Sequence, residues 1–336
     1  MPKQPFPSSE SWSPQETGAR AGHFATAPAP STVAGSPRLD RESLLDELCE
    51  LMDRHARSDL TTAIDEVKIF KAVAPQPPRP VTYGRVFALV GQGTKRFALG
   101  ERMYEHRAGE YLVASLDLPV VAHFIEAAPG RPGLGVGLTL DPAEIVRMLL
   151  LAPAALPDIS TLTPPGLAVS EAEIELIDAV LRLLRLLDRP GDIAVLAPLI
   201  KREILWRLIT GEQGAMIRQF GTPESNLNHI AAAIHWIRRH YQLPFRVEDL
   251  ANRAAMSVSA FHRSFQTVTA MSPVQFQKRI RLNEARLLLI ADPSDVTGVG
   301  RKVGYTSPSQ FSREYRRQFG APPSLDARGF QSGTSA

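Results

Sequence analysis

The chain has 336 residues, of which 44% are hydrophobic and 22% charged, so it is long enough for about two globular domains. It contains no apolar run near the roughly 20 residues that a membrane-spanning helix needs, and its first residues lack the basic-then-apolar pattern of a secretory signal. The single cysteine, Cys49, excludes an intramolecular disulfide and a cysteine-based zinc site. These features predict a cytoplasmic protein with no membrane partner.

The two ends of the chain differ in charge. Residues 226–336 contain 15 Lys and Arg against 7 Asp and Glu, whereas residues 1–225 contain 23 against 28. A basic segment attracts polyanions, because neutralising phosphates releases their condensed counterions. A solvated charged surface is the alternative, and charge alone does not choose between the two.

The N-terminal part predicts a tail, one helix and many strands. Residues 1–39 are rich in Pro, Ser, Ala and Gly, and this composition is typical of a disordered tail. Asp40 or Ser43 then opens a helix with an apolar stripe. From 61 to 140, β-forming runs alternate with turn signals, which is typical of a sheet sandwich or barrel. The runs are 67–73, 81–90, 95–99, 102–106, 110–115, 120–127 and 133–140. Gly91 and Gly93 suit a hairpin turn.

Residues 141–225 predict a helical connector. Asp141 caps one helix, Ser170 and Glu173 form a capping box before the next, and a third helix covers about 193–209. The leucines and isoleucines of these helices form an apolar stripe that must be buried. The stripe packs either on the strand-rich domain or in a subunit interface, and the second arrangement would make the protein a homodimer.

The C-terminal part contains an internal repeat. Ser257-x-Ser259-x-Phe261-x-Arg263-x-Phe265 recurs 50 residues later as Ser307-x-Ser309-x-Phe311-x-Arg313-x-Tyr315. Upstream of these motifs the offset is 49 residues, so the second copy contains one extra residue. Each copy of a repeat marks one structural unit.

Each copy predicts a short helix, a tight turn and a second helix. Ser257 and Ser307 cap the second helices, and Gln310 is placed to complete a capping box with Ser307. Phe261 and Phe265 are four residues apart, so they share one face and dock onto the preceding helix. This pattern indicates two helix-turn-helix units in tandem.

The outward faces of the second helices are polar. They present Ser259, His262, Arg263 and Gln266 in the first unit, and Ser309, Gln310, Ser312, Arg313 and Arg316 in the second. In a major groove, Arg holds guanine O6 and N7 while Gln holds adenine N6 and N7. The capped N-termini at Ser257 and Ser307, together with Arg316, suit phosphates. A helix over 273–290 would hold the units at a fixed separation of about 34 Å, one turn of DNA.

The segment from about residue 227 to 330 resembles the DNA-binding domain of the AraC/XylS family of bacterial regulators. The resemblance is carried by Ala254-Ala255-Met256-Ser257, Arg281-Leu282-x-x-Ala285-x-x-Leu288-Leu289, Ser307-Pro308-Ser309-Gln310-Phe311-Ser312-Arg313 and Tyr315-Arg316-Arg317-x-Phe319-Gly320. It implies binding to double-stranded promoter DNA, activation of transcription and contact with RNA polymerase. It also implies base-edge contacts, at Ser259, His262 and Arg263 in the first unit and at Ser309, Gln310 and Arg313 in the second.

The second unit departs from the family pattern. It begins Val296-Thr297-Gly298-Val299-Gly300, where the family usually has Ile-x-x-Ile-Ala. Two glycines in a short helix cost roughly 0.5–1 kcal/mol each relative to alanine. We therefore expect the second unit to be less rigid than the first.

The front half resembles the cupin-like N-terminal domain found in a subset of these regulators. The motifs are Phe87-Ala88-Leu89-Val90-Gly91-Gln92-Gly93-Thr94-Lys95, His106-Arg107-Ala108-Gly109-Glu110-Tyr111-Leu112 and Ser115-Leu116-Asp117-Leu118-Pro119-Val120. The resemblance implies a sensor of a small-molecule effector, bound within 61–140 by residues that the sequence does not identify.

A metal-dependent cupin enzyme with an accessory DNA-binding domain is the rival interpretation. Its candidate ligands are His106, Glu110 and His123, but the paired His-x-His of a typical cupin metal site is missing. We therefore expect no metal, no cofactor and no enzymatic activity.

The sequence thus predicts a multidomain α and β protein. A β-barrel, cupin-like effector domain is expected at 40–140, the helical connector at 141–225, the all-α tandem helix-turn-helix domain at 226–330 and a disordered tail at 331–336. The predicted function is sequence-specific regulation of transcription, by a cytoplasmic protein that joins the nucleoid when bound to DNA.

Overall fold

A computed structural model describes residues 40–152, 163–222, 224–292 and 294–326. The predicted tails at 1–39 and 331–336 lie outside these residues. A strand-rich part comes first and a helical part with two helix-turn-helix units follows, which confirms the predicted fold class. No helix in the described ranges combines the length and apolar character that a bilayer crossing requires.

The elements follow one another in a simple order. The strands are β1 (Val67–Ala72), β2 (Arg79–Tyr83), β3 (Val86–Gln92), β4 (Thr94–Leu99), β5 (Arg102–Arg107), β6 (Glu110–Ala114), β7 (Leu118–Glu126), β8 (Gly133–Thr139) and β9 (Leu167–Glu171). The helices are α1 (Arg41–His55), α2 (Pro142–Leu151), α3 (Ile174–Arg185), α4 (Ile193–Thr210), α5 (Gly214–Phe220), α6 (Asn226–Arg239), α7 (Val247–Arg253), α8 (Val258–Thr269), α9 (Pro273–Ala291), α10 (Val296–Lys302) and α11 (Pro308–Phe319).

The strands form two antiparallel sheets, in the orders β1-β8-β3-β6-β9 and β2-β7-β4-β5. The sheets are not joined into a closed barrel, so this detail of the prediction is wrong and the domain is an open two-sheet sandwich. The predicted run at 81–90 holds two strands, β2 and β3, which belong to different sheets. They are separated by Gly84 and Arg85.

Gly93 lies where the chain passes from one sheet to the other. Its φ is 81°, and a Cβ there would lie 2.4 Å from the carbonyl oxygen of Glu126. Only glycine adopts this conformation at so close an approach without strain. The turn sends the chain from β3 in one sheet to β4 in the other, so the predicted hairpin is wrong.

The five-stranded sheet is covered on both of its faces. Six consecutive residues of β8 are buried, a pattern that a strand shows only when both of its faces are covered. Helix α1 packs against this sheet, where a Cβ on Gly91 would meet the side chains of Met52 and Cys49. The side chain of Asp40 accepts the backbone N–H of Ser43, which confirms the predicted start of this helix.

The connector contains a strand that the sequence did not predict. Ser170 lies in β9, opposite Tyr111 of β6, and Glu173 precedes α3 without a side-chain cap bond. The predicted capping box is therefore wrong, because Ser170 is committed to the sheet. The cap at Asp141 is confirmed by its hydrogen bond from the N–H of Ala143, 2.9 Å long.

Two apolar cores hold the described chain together. The larger core extends without interruption from the sheets through α3, α4 and α5 into α6, α7, α8 and the first part of α9. The smaller core lies between the second part of α9, α10 and α11. The first helix-turn-helix unit thus shares its core with the sheet domain, whereas the second unit has a core of its own.

Candidate nucleic-acid interface

The first helix-turn-helix unit consists of α7 and α8. Ala255, with a φ of 51°, turns the chain between them, and the N–H of Met256 bonds to the carbonyl of Ala251 at 3.0 Å. The hydroxyl of Ser257 accepts the N–H of Ala260 at 3.3 Å, which confirms the predicted cap. The tight turn thus connects α7 directly to a capped second helix, α8.

Helix α8 is clearly two-sided. Phe261 and Phe265 are fully buried, and Phe265 packs edge-on against Phe276 of α9, with ring centroids 5.5 Å apart. The predicted base-contacting side chains all lie on the exposed face. They are Ser259, His262, Arg263 and Gln266. The buried aromatic side anchors the helix, so its polar side is presented as one rigid surface.

The second unit consists of α10 and α11 and repeats this geometry. Gly304, with a φ of 94°, turns the chain at the position that Ala255 holds in the first unit. The hydroxyl of Ser307 accepts the N–H of Gln310 at 3.3 Å. Phe311 and Tyr315 are fully buried, and their ring centroids are 5.6 Å apart. Both units therefore place a capped, two-sided helix after a tight turn.

Close packing explains why α10 has glycine at two positions, Gly298 and Gly300. A Cβ on Gly300 would lie 3.0 Å from the ring of Phe311, so glycine lets α11 approach α10 closely. A Cβ on Gly298 would collide with the carboxylate of Asp295, which caps α10 by accepting the N–H of Gly298 at 2.7 Å. The glycines thus admit tight packing here, and the expected loss of rigidity remains a prediction.

The exposed face of α11 carries fewer of the predicted contacts than expected. Ser309, Arg313 and Arg316 are exposed, but Gln310 is half-buried and its amide nitrogen donates to a carboxylate oxygen of Glu314 at 3.1 Å. Gln310 therefore forms no capping box with Ser307, because its side chain points along the helix instead. The hydroxyl of Ser309 lies 3.0 Å from that of Ser307.

Glu314 is a structural residue that sequence reasoning missed. Its carboxylate accepts from Lys278 at 2.7 Å and from the hydroxyl of Tyr305 at 2.8 Å, as well as from Gln310. Burial alone would raise the pKa of Glu314, but these hydrogen bonds outweigh it and hold the pKa below its usual range. No local pattern reveals this network, because Lys278 and Glu314 are 36 residues apart.

The candidate metal ligands do not form a metal site. His106 is 2% exposed, and its Nε2 lies 2.7 Å from the carbonyl oxygen of Glu110. The Glu110 carboxylate instead accepts the backbone N–H of Arg107. Burial lowers the pKa of His106 to about 4, so the ring is neutral at pH 7. Across the described ranges, no cluster of three or more His, Cys, Asp or Glu is arranged to hold a metal ion.

Cys49 is half-buried between α1 and β3. Burial raises the pKa of its thiol to about 11, so the reactive thiolate is scarce at neutral pH. This environment is that of a small packed side chain.

A cavity of about 320 Å³ lies where the sheet domain meets α6. The sheet domain contributes Arg85, Leu116 and Asp117, and α6 contributes Asn228, Ala231, Ala232, Ile234 and His235. The Nε of Arg85 is buried and has no hydrogen-bond partner in the part of the chain that the structure describes. In the four-stranded sheet, the rings of Phe97 on β4 and Tyr104 on β5 stack with centroids 5.1 Å apart.

Comparison with known proteins agrees with this architecture. The family described as AraC-type transcriptional regulator N-terminus matches residues 63–216, and the family described as helix-turn-helix domain matches residues 250–328. The HTH-type transcriptional activator RhaS of Escherichia fergusonii is 29% identical over 130 residues, 38% of this chain and 46% of that protein. RhaS of Salmonella schwarzengrund is 26% identical over 149 residues, 44% of this chain and 52% of that protein. The chain thus spans about half the length of the curated relatives it matches.

Solved structures also match the chain. A crystal structure of an apo ToxT variant from Vibrio cholerae strain SCE256 covers 80% of this chain and 99% of its own, with 9% identity and a TM-score of 0.49. The DNA-binding domain of AdpA, solved in complex with a target DNA, covers 31% of this chain and 94% of its own. Its sequence identity is 31% and its TM-score is 0.30.

The fold and the site together define a class: regulators with an N-terminal sheet domain and a C-terminal pair of helix-turn-helix units. Within this class, the chain is similar to AraC-type transcriptional regulators, in its N-terminal sheet domain and in its helix-turn-helix domain.

Proposed function

We propose that this protein is a sequence-specific DNA-binding regulator, acting as a transcriptional activator whose promoter binding responds to a small-molecule effector. The observation that carries the proposal is the pair of two-sided helices, α8 and α11, each anchored by buried aromatics and exposing arginine on the opposite face. Arg263 and Arg313 occupy equivalent positions of the repeat, so the two helices can read two successive segments of a major groove.

The assignments of side chains to DNA follow from exposure. Bases would be contacted by Ser259, His262, Arg263 and Gln266 from the first unit, and by Ser309, Gln310 and Arg313 from the second. The helix N-termini at Ser257 and Ser307, together with Arg316, would contact phosphates. One N–H of the Gln310 amide is held by Glu314 and the side chain is half-buried, so its contribution to specificity is the smallest.

In vitro selection from a random DNA library tests this function. The purified full chain should enrich a motif with two half-sites about ten base pairs apart. A double variant, Arg263→Ala with Arg313→Ala, should enrich no motif, whereas Arg246→Ala, which removes a mostly exposed arginine from the loop before α7, should enrich the parent motif. Failure of the unaltered chain to enrich any motif would contradict the proposal.

The effector is proposed to act where the sheet domain meets α6. The cavity of about 320 Å³ touches both parts, so a bound molecule would change how the sheet domain holds the first unit. Arg85 lines this cavity, so its guanidinium offers a hydrogen bond to a carbonyl or carboxylate group of such a molecule. Arg85→Met should leave promoter binding in vitro intact but abolish medium-dependent changes of reporter transcription, and an unchanged response would contradict this placement.

A homodimer is proposed through the outer face of α2 and α4. Four apolar side chains on this face are largely exposed: Leu150 (80%), Leu151 (82%), Val195 (67%) and Leu199 (57%). The solvent-facing side of a helix normally carries polar residues, and apolar residues such as these are normally buried. Together they offer on the order of several hundred Å² of apolar area, less than the roughly 800 Å² per partner of a standard interface, so neighbouring side chains would supply the rest. A second copy of the chain is the occupant that we propose, because this face belongs to the segment that joins the two domains.

Sedimentation of the full chain tests the dimer. Leu199→Lys should give a monomer, whereas Leu287→Lys, at a leucine 62% exposed on α9, should sediment as the parent does. A parent chain that is monomeric at micromolar concentration would contradict the proposal.

Contact with RNA polymerase and residence at the nucleoid in the cytoplasm are the remaining parts of the proposed function.

A further inference from the structure

Helix α9 belongs to both helix-turn-helix units. Phe276 and Ile280 on its first half are part of the large core, whereas Leu282, Ala285 and Leu289 on its second half are part of the small core. The change from one core to the other falls between Ile280 and Leu282. Arg281 is the residue between them.

The guanidinium of Arg281 bonds to backbone carbonyls from both sides of this boundary. Its Nε donates to Tyr241 at 2.6 Å, and its Nη2 donates to Gln242 at 3.0 Å, in the segment that follows α6. Its Nη1 donates to Gly304 at 2.9 Å, in the turn of the second unit. One side chain thus ties the loop after α6 to the turn between α10 and α11.

The backbone is shaped to permit this contact. A Cβ on Gly304 would lie 2.4 Å from the carbonyl oxygen of Gln242, so the two segments touch where only glycine fits. Gln277, one turn earlier on α9, donates to the carbonyls of Tyr241 at 3.0 Å and Leu243 at 2.6 Å. The loop after α6 is therefore held from one side by Gln277 and joined to the second unit by Arg281.

The chemistry of this position requires arginine. A planar guanidinium offers five N–H donors in a fixed fork, so it can hold several carbonyls in one arrangement, whereas an ammonium group is a point charge without that directionality. The guanidinium also lies over the ring of Tyr305, 5.8 Å from its centroid, which adds a second contact to the second unit.

We propose that Arg281 is a positioning residue that fixes the second helix-turn-helix unit relative to the first, and thereby sets the spacing between half-sites that the protein accepts. This inference rests on the proposed function. Arg281 lies in the boundary between the units, so it acts through α8 and α11 by holding their separation and angle.

Binding to DNA of varied geometry tests the proposal. Probes carry either the selected two-half-site motif, the same motif with one base pair added or removed between the half-sites, or the first half-site alone. Arg281→Lys should bind the first half-site as the parent does, but lose at least about tenfold in affinity for the two-half-site probe, because two linked modules gain affinity only when they are correctly spaced. It should also no longer discriminate against the altered spacings.

The matched control is Arg279→Lys. Arg279 is a partly buried arginine two residues earlier on α9, and its guanidinium lies 3.5 Å from the carbonyl of Gly100 in the sheet domain, not at the boundary between the units. This control should keep the parent's spacing preference. Full retention of the spacing preference by Arg281→Lys would overturn the proposal. An equal loss of affinity for all three kinds of probe would also overturn it, because such a loss indicates a role in folding only.

A distance measurement separates this inference from the proposed function. Spin labels at Asn252 and Arg317, both exposed, are introduced in a Cys49→Ser background, and electron–electron distances are recorded without DNA. A narrow distribution in the parent that broadens in Arg281→Lys supports the positioning role even if no DNA motif is found. Identical distributions would overturn the role, whatever the DNA experiments show.

Discussion

The backbone N–H of Gly166 donates a hydrogen bond to the carbonyl oxygen of Val268 at 3.0 Å, joining the sheet domain to α8. Gly166 immediately precedes β9, and Val268 lies in the last turn of α8. Nearby, the hydroxyls of Thr163 and Ser264 lie 3.0 Å apart. A structural change in the sheet domain can therefore be transmitted to α8 directly through these hydrogen bonds.

The first prediction concerns this contact. A Cβ on Gly166 would lie 2.4 Å from the Val268 oxygen, so Gly166→Ala forces the two segments apart. We expect the free energy of unfolding to fall by about 1–3 kcal/mol, as for other overpacked sites. Urea unfolding measures it, and Gly130→Ala, where a Cβ meets no atom within 4 Å, is the control. Equal stability of the two variants would contradict the tight docking.

The second prediction concerns base recognition. Arg263→Ala should weaken binding to the selected motif by roughly 1–3 kcal/mol and relax the base preference at one position, because the proposed bidentate contact to guanine would be lost. Competition binding against all four bases at each position measures this. Uniform weakening across all sequences would instead assign Arg263 to a phosphate.

The third prediction concerns the close packing of α10 and α11. Gly300→Ala introduces a Cβ 3.0 Å from the buried ring of Phe311. Alanine gains roughly 0.5–1 kcal/mol of helix propensity, but displacing a buried ring costs about 1–3 kcal/mol, so we expect net destabilisation of the second unit. The unfolding temperature and the affinity for the second half-site should both decrease, while Thr297→Ala, at an exposed position of the same helix, should lower neither. A more stable Gly300→Ala variant would show that Phe311 adjusts freely.

The fourth prediction concerns acid stability. Burial first, and the charge of Lys95 to a smaller extent, lower the pKa of His106 from 6.5 to about 4 in the folded protein, against the opposing effect of its bond to Glu110. Between these pH values the unfolded chain binds a proton that the folded chain does not, so stability is complete above pH 6.5 and falls as the pH drops towards 4. The loss is on the order of 3 kcal/mol.

Urea unfolding at pH 7, 6 and 5 measures this loss. His106→Gln keeps an amide donor near Glu110 but has no group that titrates, so its stability should fall less steeply with pH than that of the parent. Parallel pH profiles for the two proteins would show that other groups cause the acid sensitivity.

Much of the helical part could be predicted because its signals are local. The caps at Ser257 and Ser307 and the buried pairs at Phe261 and Phe265 depend on residues within one or two helical turns of each other. The burial of Phe311 follows from the same repeat. These local signals are sufficient to identify the exposed faces of α8 and α11.

The remaining features depend on contacts between residues distant in sequence. β9 is a five-residue strand whose pairing with β6 is set by the sheet, so Ser170 looked like a helix cap. Gln310 looked like a free recognition side chain because nothing in the sequence brings Glu314, Lys278 and Tyr305 together. The turn at Gly93 looked like a hairpin because no local signal shows that β4 pairs with β7 of the other sheet and not with β3.

Genome-wide immunoprecipitation of the full-length protein, followed by binding to the recovered fragments at two salt concentrations, tests the central claim most directly. The account predicts discrete promoter sites that share two half-sites about ten base pairs apart, with specific binding that persists at the higher salt. Diffuse binding that disappears at moderate salt would contradict it, because the basic domain would then supply only phosphate affinity.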